Sequence, residues 1–217
     1  MRALILVDIQ NDFLPGGALA VPDGDAVIPV ANALMPGFSR VVATQDWHPA
    51  GHGSFAANHP GRRPGEVIAL GGLSQVLWPV HCVQGTRGAE LADGLDRARI
   101  GRVFVKGTDP EIDSYSGFFD NERRRSTGLA EFLRAAGVDE VVVLGLATDY
   151  CVKFTALDAL SLGLRTVLVV DGCRGVELQA GDSARAIEAV RAAGGAVVTS
   201  AELVGRGQLA RQNRDEN

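Results

Sequence analysis

The chain has 217 residues with a formal net charge of −5, 46% of them hydrophobic and 22% charged. That length supports one generous core without disulfides or a structural metal, and that composition excludes a disordered or fibrous chain. The acidic balance argues against a protein whose work is gripping nucleic acid, because phosphate binding wants a basic face.

In chain order, the opening MRALILVDIQNDF carries an apolar run too short for a secretory signal, and Asp8 interrupts it, so a cytoplasmic protein is expected. No stretch approaches the roughly 18 apolar residues of a membrane span. Residues 3–7 read as a strand buried on both faces, since polar alternation is absent. Further short apolar runs follow at 40–44, 102–106, 140–144, 165–170 and 196–199. Segments 25–35, 126–136, 149–162 and 182–193 have helical periodicity, with Gly137, Gly163 and Gly194 as stop signals. Strands alternating with helices predict an α/β fold of three layers, a mainly parallel six-stranded sheet with helices on both faces. One domain is expected over residues 1–205, with an insertion at about 45–100 rich in Gly, Pro, His and Trp. An aperiodic segment that long is usually functional. Residues 206–217 read as a polar tail, and the basic run at 123–125 as solvated surface.

Ligands of an open parallel sheet bind beyond the carboxyl ends of its strands. There the sequence offers Asp8, then Asp46 and His48, then Lys106, then the run from Gly145 to Cys151. Cys151 is expected in the first turn of a helix capped by Thr148 or Asp149, where unpaired N–H groups and the helix dipole stabilise a thiolate. Asp8 can take the thiol proton and Lys106 can hold both charges in place. Cys82 and Cys173 lack such neighbours and read as packing residues. Three widely spaced cysteines without a C-x-x-C pair suggest neither a disulfide framework nor a thiolate zinc site.

Asp46-x-His48 puts two donors on one side of an extended segment, and His81 brings a second imidazole from the same insertion. A carboxylate with two imidazoles suits zinc, iron or manganese and leaves positions open for water or substrate. His52 and Ser54 lie nearby in the same insertion. There is no G-x-x-x-x-G-K-[ST] phosphate loop, no G-x-S-x-G elbow and no P-C-x-x-C deaminase signature.

Val7-Asp8-Ile9-Gln10-Asn11-Asp12-Phe13, Asp46-Trp47-His48-Pro49, Trp78-Pro79-Val80-His81-Cys82, Lys106-Gly107-Thr108-Asp109 and Ala147-Thr148-Asp149-Tyr150-Cys151 resemble the signatures of one family. It is the nicotinamidase/pyrazinamidase branch of the isochorismatase-like cysteine hydrolases, and Asp113-Ser114-Tyr115-Ser116 fits the same branch. The resemblance runs from residue 2 to about residue 200. It implies hydrolysis of nicotinamide, and of pyrazinamide, to the acid and ammonia through a cysteine thioester, in NAD salvage. Asp8, Lys106 and Cys151 would be catalytic. The N–H groups of Ala147 and Cys151 would form an oxyanion hole beside a cis peptide between Leu146 and Ala147. Phe13 and Trp78 would flank the substrate ring, with Leu19 and Tyr115 as further contacts. One divalent transition metal ion, zinc first and iron or manganese next, would sit at Asp46, His48 and His81, joined by His52 or Ser54. The implied partner is a small molecule, with no nucleic acid or membrane, and association with further copies is left open. Two other readings stand beside it. Isochorismatases and N-carbamoyl amidases are not expected to carry the Asp-x-His and Trp-Pro-x-His-Cys cluster. A catalytically dead binding domain is opposed by the intact Asp8, Lys106 and Cys151.

Overall fold

The computed structural model describes residues 1–205; the expected tail at 206–217 lies outside the described residues. In chain order the elements are β1 (Arg2–Val7), α1 (Val27–Leu34), β2 (Val41–Asp46), β3 (Val67–Leu70), β4 (Leu73–Val76), β5 (Arg102–Lys106), α2 (Leu129–Ala135), β6 (Glu140–Leu146), α3 (Lys153–Ser161), β7 (Arg165–Arg174), α4 (Asp182–Ala192) and β8 (Ala196–Val198). Six strands form one sheet in the order β5-β2-β1-β6-β7-β8, and every pairing in it is parallel. Apart from Arg2 and Glu140 at their starts, β1 and β6 are buried throughout. That burial explains their unbroken apolar runs: a strand covered on both faces has no solvent side on which to place polar residues. α1 packs on β6 and β7, while α3 and α4 pack on each other and on β7. Among the described residues no helix is long and apolar enough to cross a membrane.

The strand order locates the site. From β1 the chain builds outward through β2 to β5, then returns to build the other way through β6, β7 and β8. The reversal falls between β1 and β6, and a crevice opens beyond the carboxyl ends of the strands at such a switch point. β1 and β6 run very close there: Gly145 has φ +131°, and a Cβ on it would lie 2.1 Å from the Val7 carbonyl oxygen. Only glycine fits.

Three strands run further than the apolar pattern predicts. β2 reaches Asp46, β6 reaches Leu146 and β7 reaches Arg174, because polar residues or a glycine interrupt each apolar run while the ladder continues. The segment 45–100 is not wholly aperiodic either, since β3 and β4 form an antiparallel hairpin within it. The basic run remains exposed and pairs locally, Arg123 with Asp158 and Ser161, Arg124 with Glu122, Arg125 with Asp109.

Candidate active site

β6 passes through Ala147 into a π-turn, Thr148–Val152, before α3 begins, and the Leu146–Ala147 peptide is cis. Cys151 therefore sits in that π-turn, whose Tyr150 and Val152 N–H groups both donate to the Ala147 carbonyl. Neither Thr148 nor Asp149 caps it with a side chain, contrary to the sequence expectation. The Asp149 carboxylate is used elsewhere: it accepts the N–H groups of Val176 and Glu177 at 3.0 and 2.8 Å, tying the segment after β7 to the cysteine turn.

Asp8 leaves β1 with φ +47°. Its Oδ1 accepts from Thr44 Oγ1 at 2.6 Å, and its Oδ2 lies 2.9 Å from the Lys106 ammonium. Lys106 ends β5 as the register partner of Asp46 at the end of β2. Its Nζ donates to Asp46 Oδ1 and to the Ser114 carbonyl at 2.9 Å, and lies 3.4 Å from Cys151 Sγ. One ammonium thus stands between two carboxylates and a sulfur, all buried.

The charges follow from that arrangement. Burial works against the charge on Lys106, but Asp46 and Asp8 outweigh it and hold the ammonium far above its ordinary pKa. Burial raises Asp8, the Lys106 charge only partly opposing it. Asp46, also penalised by burial, is held well below the carboxylate range by Lys106 and then His48. Cys151 is pushed well above a normal thiol by burial first; Lys106 pulls it down while Asp8 and Asp46 push it further up. At rest the thiol keeps its proton, instead of being the thiolate expected at a helix start. Burial, reinforced by two carboxylates, outweighs the one ammonium. Asp8 Oδ2 meets the Lys106 ammonium, and a carboxylate oxygen of Asp8 lies within 4.8 Å of the sulfur, so the carboxylate can receive that proton.

The second group lies alongside. His48 Nδ1 is 2.8 Å from the Gly107 carbonyl and His81 Nδ1 is 2.8 Å from the Pro79 carbonyl. A carbonyl only accepts, so each Nδ1 carries a hydrogen, and each ring in its neutral form turns the Nε2 lone pair inward. Those two nitrogens face Asp46 Oδ2 at 3.6 and 4.0 Å. Three acceptors converging in a buried space call for a cation, and the donor set fits a divalent metal ion. His52 and Ser54 lie slightly apart. His52 Nδ1 and Ser54 Oγ are 2.7 Å apart, and His52 groups with His48 and Asp113, its Nε2 buried without a hydrogen-bond partner. His59 is outside the cluster, bonded to the Gly53 carbonyl at 2.7 Å. A third grouping, Asp8 with Asp46 and Cys151, is already bridged by the Lys106 ammonium.

Both groups open on one cleft. Phe13, Leu19, Trp78 and Tyr115 line it together with Asp46, His48, His81, Ala147 and Cys151, while Asp8 and Lys106 lie behind the sulfur. Trp78 meets Tyr150 edge-on with ring centroids 4.8 Å apart and donates from Nε1 to Tyr115 Oη at 3.3 Å. The Asp12 carboxylate joins two walls by accepting the N–H groups of Cys82 at 2.7 Å and Ala18 at 3.3 Å. Asp113, Tyr150 and Val176 also line the cleft and were not singled out from sequence. Asp113 carried a signal in the Asp113-Ser114-Tyr115-Ser116 motif and Tyr150 in its place beside Cys151; Val176 carried none. Cys82 and Cys173 are buried free thiols, Cys173 pushed up to about 12 chiefly by burial.

The isochorismatase domain matches residues 2–202. The nicotinamidase of Escherichia coli K12 is 53% identical over 205 residues, covering 93% of this chain and 96% of its own. A nicotinamidase/pyrazinamidase of Acinetobacter baumanii superimposes with a TM-score of 0.90 at 46% identity, covering 93% of this chain and 97% of its own. The pyrazinamidase of Pyrococcus horikoshii, solved in complex with zinc, gives a TM-score of 0.74 at 39% identity over 91% of this chain and 98% of its own. The chain belongs to the isochorismatase family and, within it, to the nicotinamidases.

Proposed function

We propose that this chain hydrolyses nicotinamide, and pyrazinamide, to the corresponding acid and ammonia through a thioester on Cys151. The observation that carries the mechanism is Lys106 Nζ at 2.9 Å from Asp8 and 3.4 Å from Cys151 Sγ. With the carboxamide in the cleft, the Cys151 proton passes to Asp8 Oδ2 and the thiolate attacks the carbonyl carbon. Lys106 stays charged throughout, so Asp8 gains a proton without leaving an unpaired ammonium behind. The N–H groups of Ala147 and Cys151 take the oxyanion, worth several kcal/mol in such sites, roughly 3–4 per donor. Asp8 returns its proton to the leaving nitrogen, the C–N bond breaks and ammonia departs. Asp8 then takes a proton from water attacking the thioester, the C–S bond breaks to give the acid, and the leaving Cys151 sulfur takes that proton back from Asp8.

Phe13 and Trp78 hold the flat ring, with Leu19 and Tyr115 completing the wall. Asp46, His48 and His81 would hold a divalent ion, for which zinc suits the donor set best; iron and manganese are the alternatives, and His52 or Ser54 would be the additional protein ligand. Bound there, a divalent ion supplies a Lewis-acidic position for the ring nitrogen or for water. A nucleophile that must stay a free thiol fits a cytoplasmic setting, where thiols remain reduced, and the reaction places the chain in NAD salvage. The test is ammonia release from nicotinamide by wild type and by Cys151→Ala: turnover by the first and none by the second is expected, and equal rates would sink the assignment.

A further inference from the structure

The β3–β4 hairpin rides on the surface, and among its strand residues Gln75 alone is buried, at 2% exposure. A hairpin normally turns an apolar side chain inward. Here the inward residue is a primary amide, which is unfavourable to bury unless its hydrogen bonds are made. Gln75 Nε2 lies 2.9 Å from Asp113 Oδ2, 3.0 Å from Tyr115 Oη and 2.8 Å from the Val76 carbonyl. Asp113 and Val76 offer only acceptors, so the nitrogen must be the atom facing them; the flipped amide would set oxygen against oxygen. Tyr115 Oη also receives the Trp78 indole N–H at 3.3 Å. With two donors aimed at its oxygen, the phenol is an acceptor on that side and has its own hydrogen to give elsewhere. Tyr115 and Asp113 line the cleft with Cys151, whereas Gln75 does not.

We propose that Gln75 is a positioning residue for substrate binding: from the hairpin it fixes the Tyr115 hydroxyl and the Asp113 carboxylate in the cleft wall. The hairpin thereby sets how tightly the substrate amide is held before chemistry begins, a role that rests on the nicotinamide reading above. None of the hydrogen bonds found for Gln75 reaches Asp8, Lys106 or Cys151. The effect therefore belongs in KM and not in kcat.

The experiment compares wild type, Gln75→Leu, Gln75→Glu, Tyr115→Phe and the Gln75→Leu/Tyr115→Phe double variant on nicotinamide. Gln75→Leu should raise KM roughly two- to tenfold, the range of one or two lost hydrogen bonds, with kcat little changed. Calorimetric affinity for nicotinamide, measured in a Cys151→Ala background, should weaken by the same factor. Gln75→Glu keeps the length but turns a carboxylate toward Asp113, and should weaken binding at least as much. The double variant should lose less than the product of the single losses, because both act on one hydroxyl. Unchanged KM and affinity in Gln75→Leu, wild-type binding by Gln75→Glu, a loss confined to kcat, or fully multiplicative effects would each overturn the proposal. Absence of nicotinamide turnover by wild type would instead overturn the function itself.

Discussion

Asp46 and Lys106 are register partners across the β2–β5 ladder, and Oδ1 of the first accepts a hydrogen bond from Nζ of the second. The other oxygen of the same carboxylate faces Nε2 of His48 and His81. One side chain therefore belongs both to the charge network behind the sulfur and to the metal-ligating group.

Asp46→Ala should show both roles at once. Metal retention should collapse, and the Cys151 thiol should become more acidic, because Asp46 is one of the two carboxylates that raise it. Iodoacetamide should then label Cys151 faster at neutral pH, while His81→Ala loses the ion without that gain. Removing one partner of a buried ammonium should also cost roughly 3–5 kcal/mol in denaturant unfolding. Identical alkylation profiles for wild type and Asp46→Ala would break the link.

Asp8→Asn separates acidity from catalysis. Asp8 raises the Cys151 pKa, so its neutralisation should speed alkylation. Turnover should nevertheless fall on the order of 10²–10⁴-fold, since the amide cannot carry the proton from thiol to leaving nitrogen. Lys106→Ala should slow both, as it removes the cation that pulls the thiol down. Mass-spectrometric mapping should find Cys151 labelled before Cys82 or Cys173, and near-normal hydrolysis by either charge variant would refute the trio.

The convergence of Asp8, Lys106 and Cys151 could be read from sequence because a parallel sheet gathers its strand ends at one edge, and apolar runs locate the ends of β1, β5 and β6 to within two residues. Asp46, His48 and His81 were legible because histidine is scarce and clustered in one insertion. The β3–β4 hairpin was missed although Gly71-Gly72 sits between its strands with both φ values positive, as a tight hairpin turn needs. Four-residue strands of mixed burial carry too little alternation to be distinguished from loop. Gln75 with Asp113, 38 positions apart, has no local signature at all. The protonated thiol was equally hidden, because it depends on burial and on two carboxylates converging from different strands.

Metal uptake should release a proton. Burial opposes charge on His48, but Asp46 overrides it and raises its pKa above 6.5. A raised value means the ring keeps its proton to higher pH than a free imidazole, so an incoming ion must displace it. Affinity should therefore weaken as pH falls, starting above pH 6.5; His81, pushed down to about 4 by burial and His48, adds competition only in far more acid solution. Zinc titrations at pH 6.5 in two buffers of different ionisation heat should report proton release on binding. Zero release would contradict the raised His48.

Substrate preference tests ring and ion together. Benzamide has the same carboxamide but no ring nitrogen, and it should be a poor substrate of the metal-loaded enzyme, whereas pyrazinamide retains a nitrogen and should be turned over. A buried polar site left without its partner discriminates far more strongly than a missing methylene. Comparable kcat/KM for benzamide and nicotinamide would remove the ring nitrogen from recognition.

The packing of Trp78 has a practical corollary. The sequence holds two tryptophans, and this one is a wall of the cleft, edge-on to Tyr150 and bonded through its indole N–H to Tyr115. An indole at a binding surface changes its emission when a flat, electron-poor ring settles against it. The protein thus carries its own optical probe, and ligand occupancy can be followed by intrinsic fluorescence without a label.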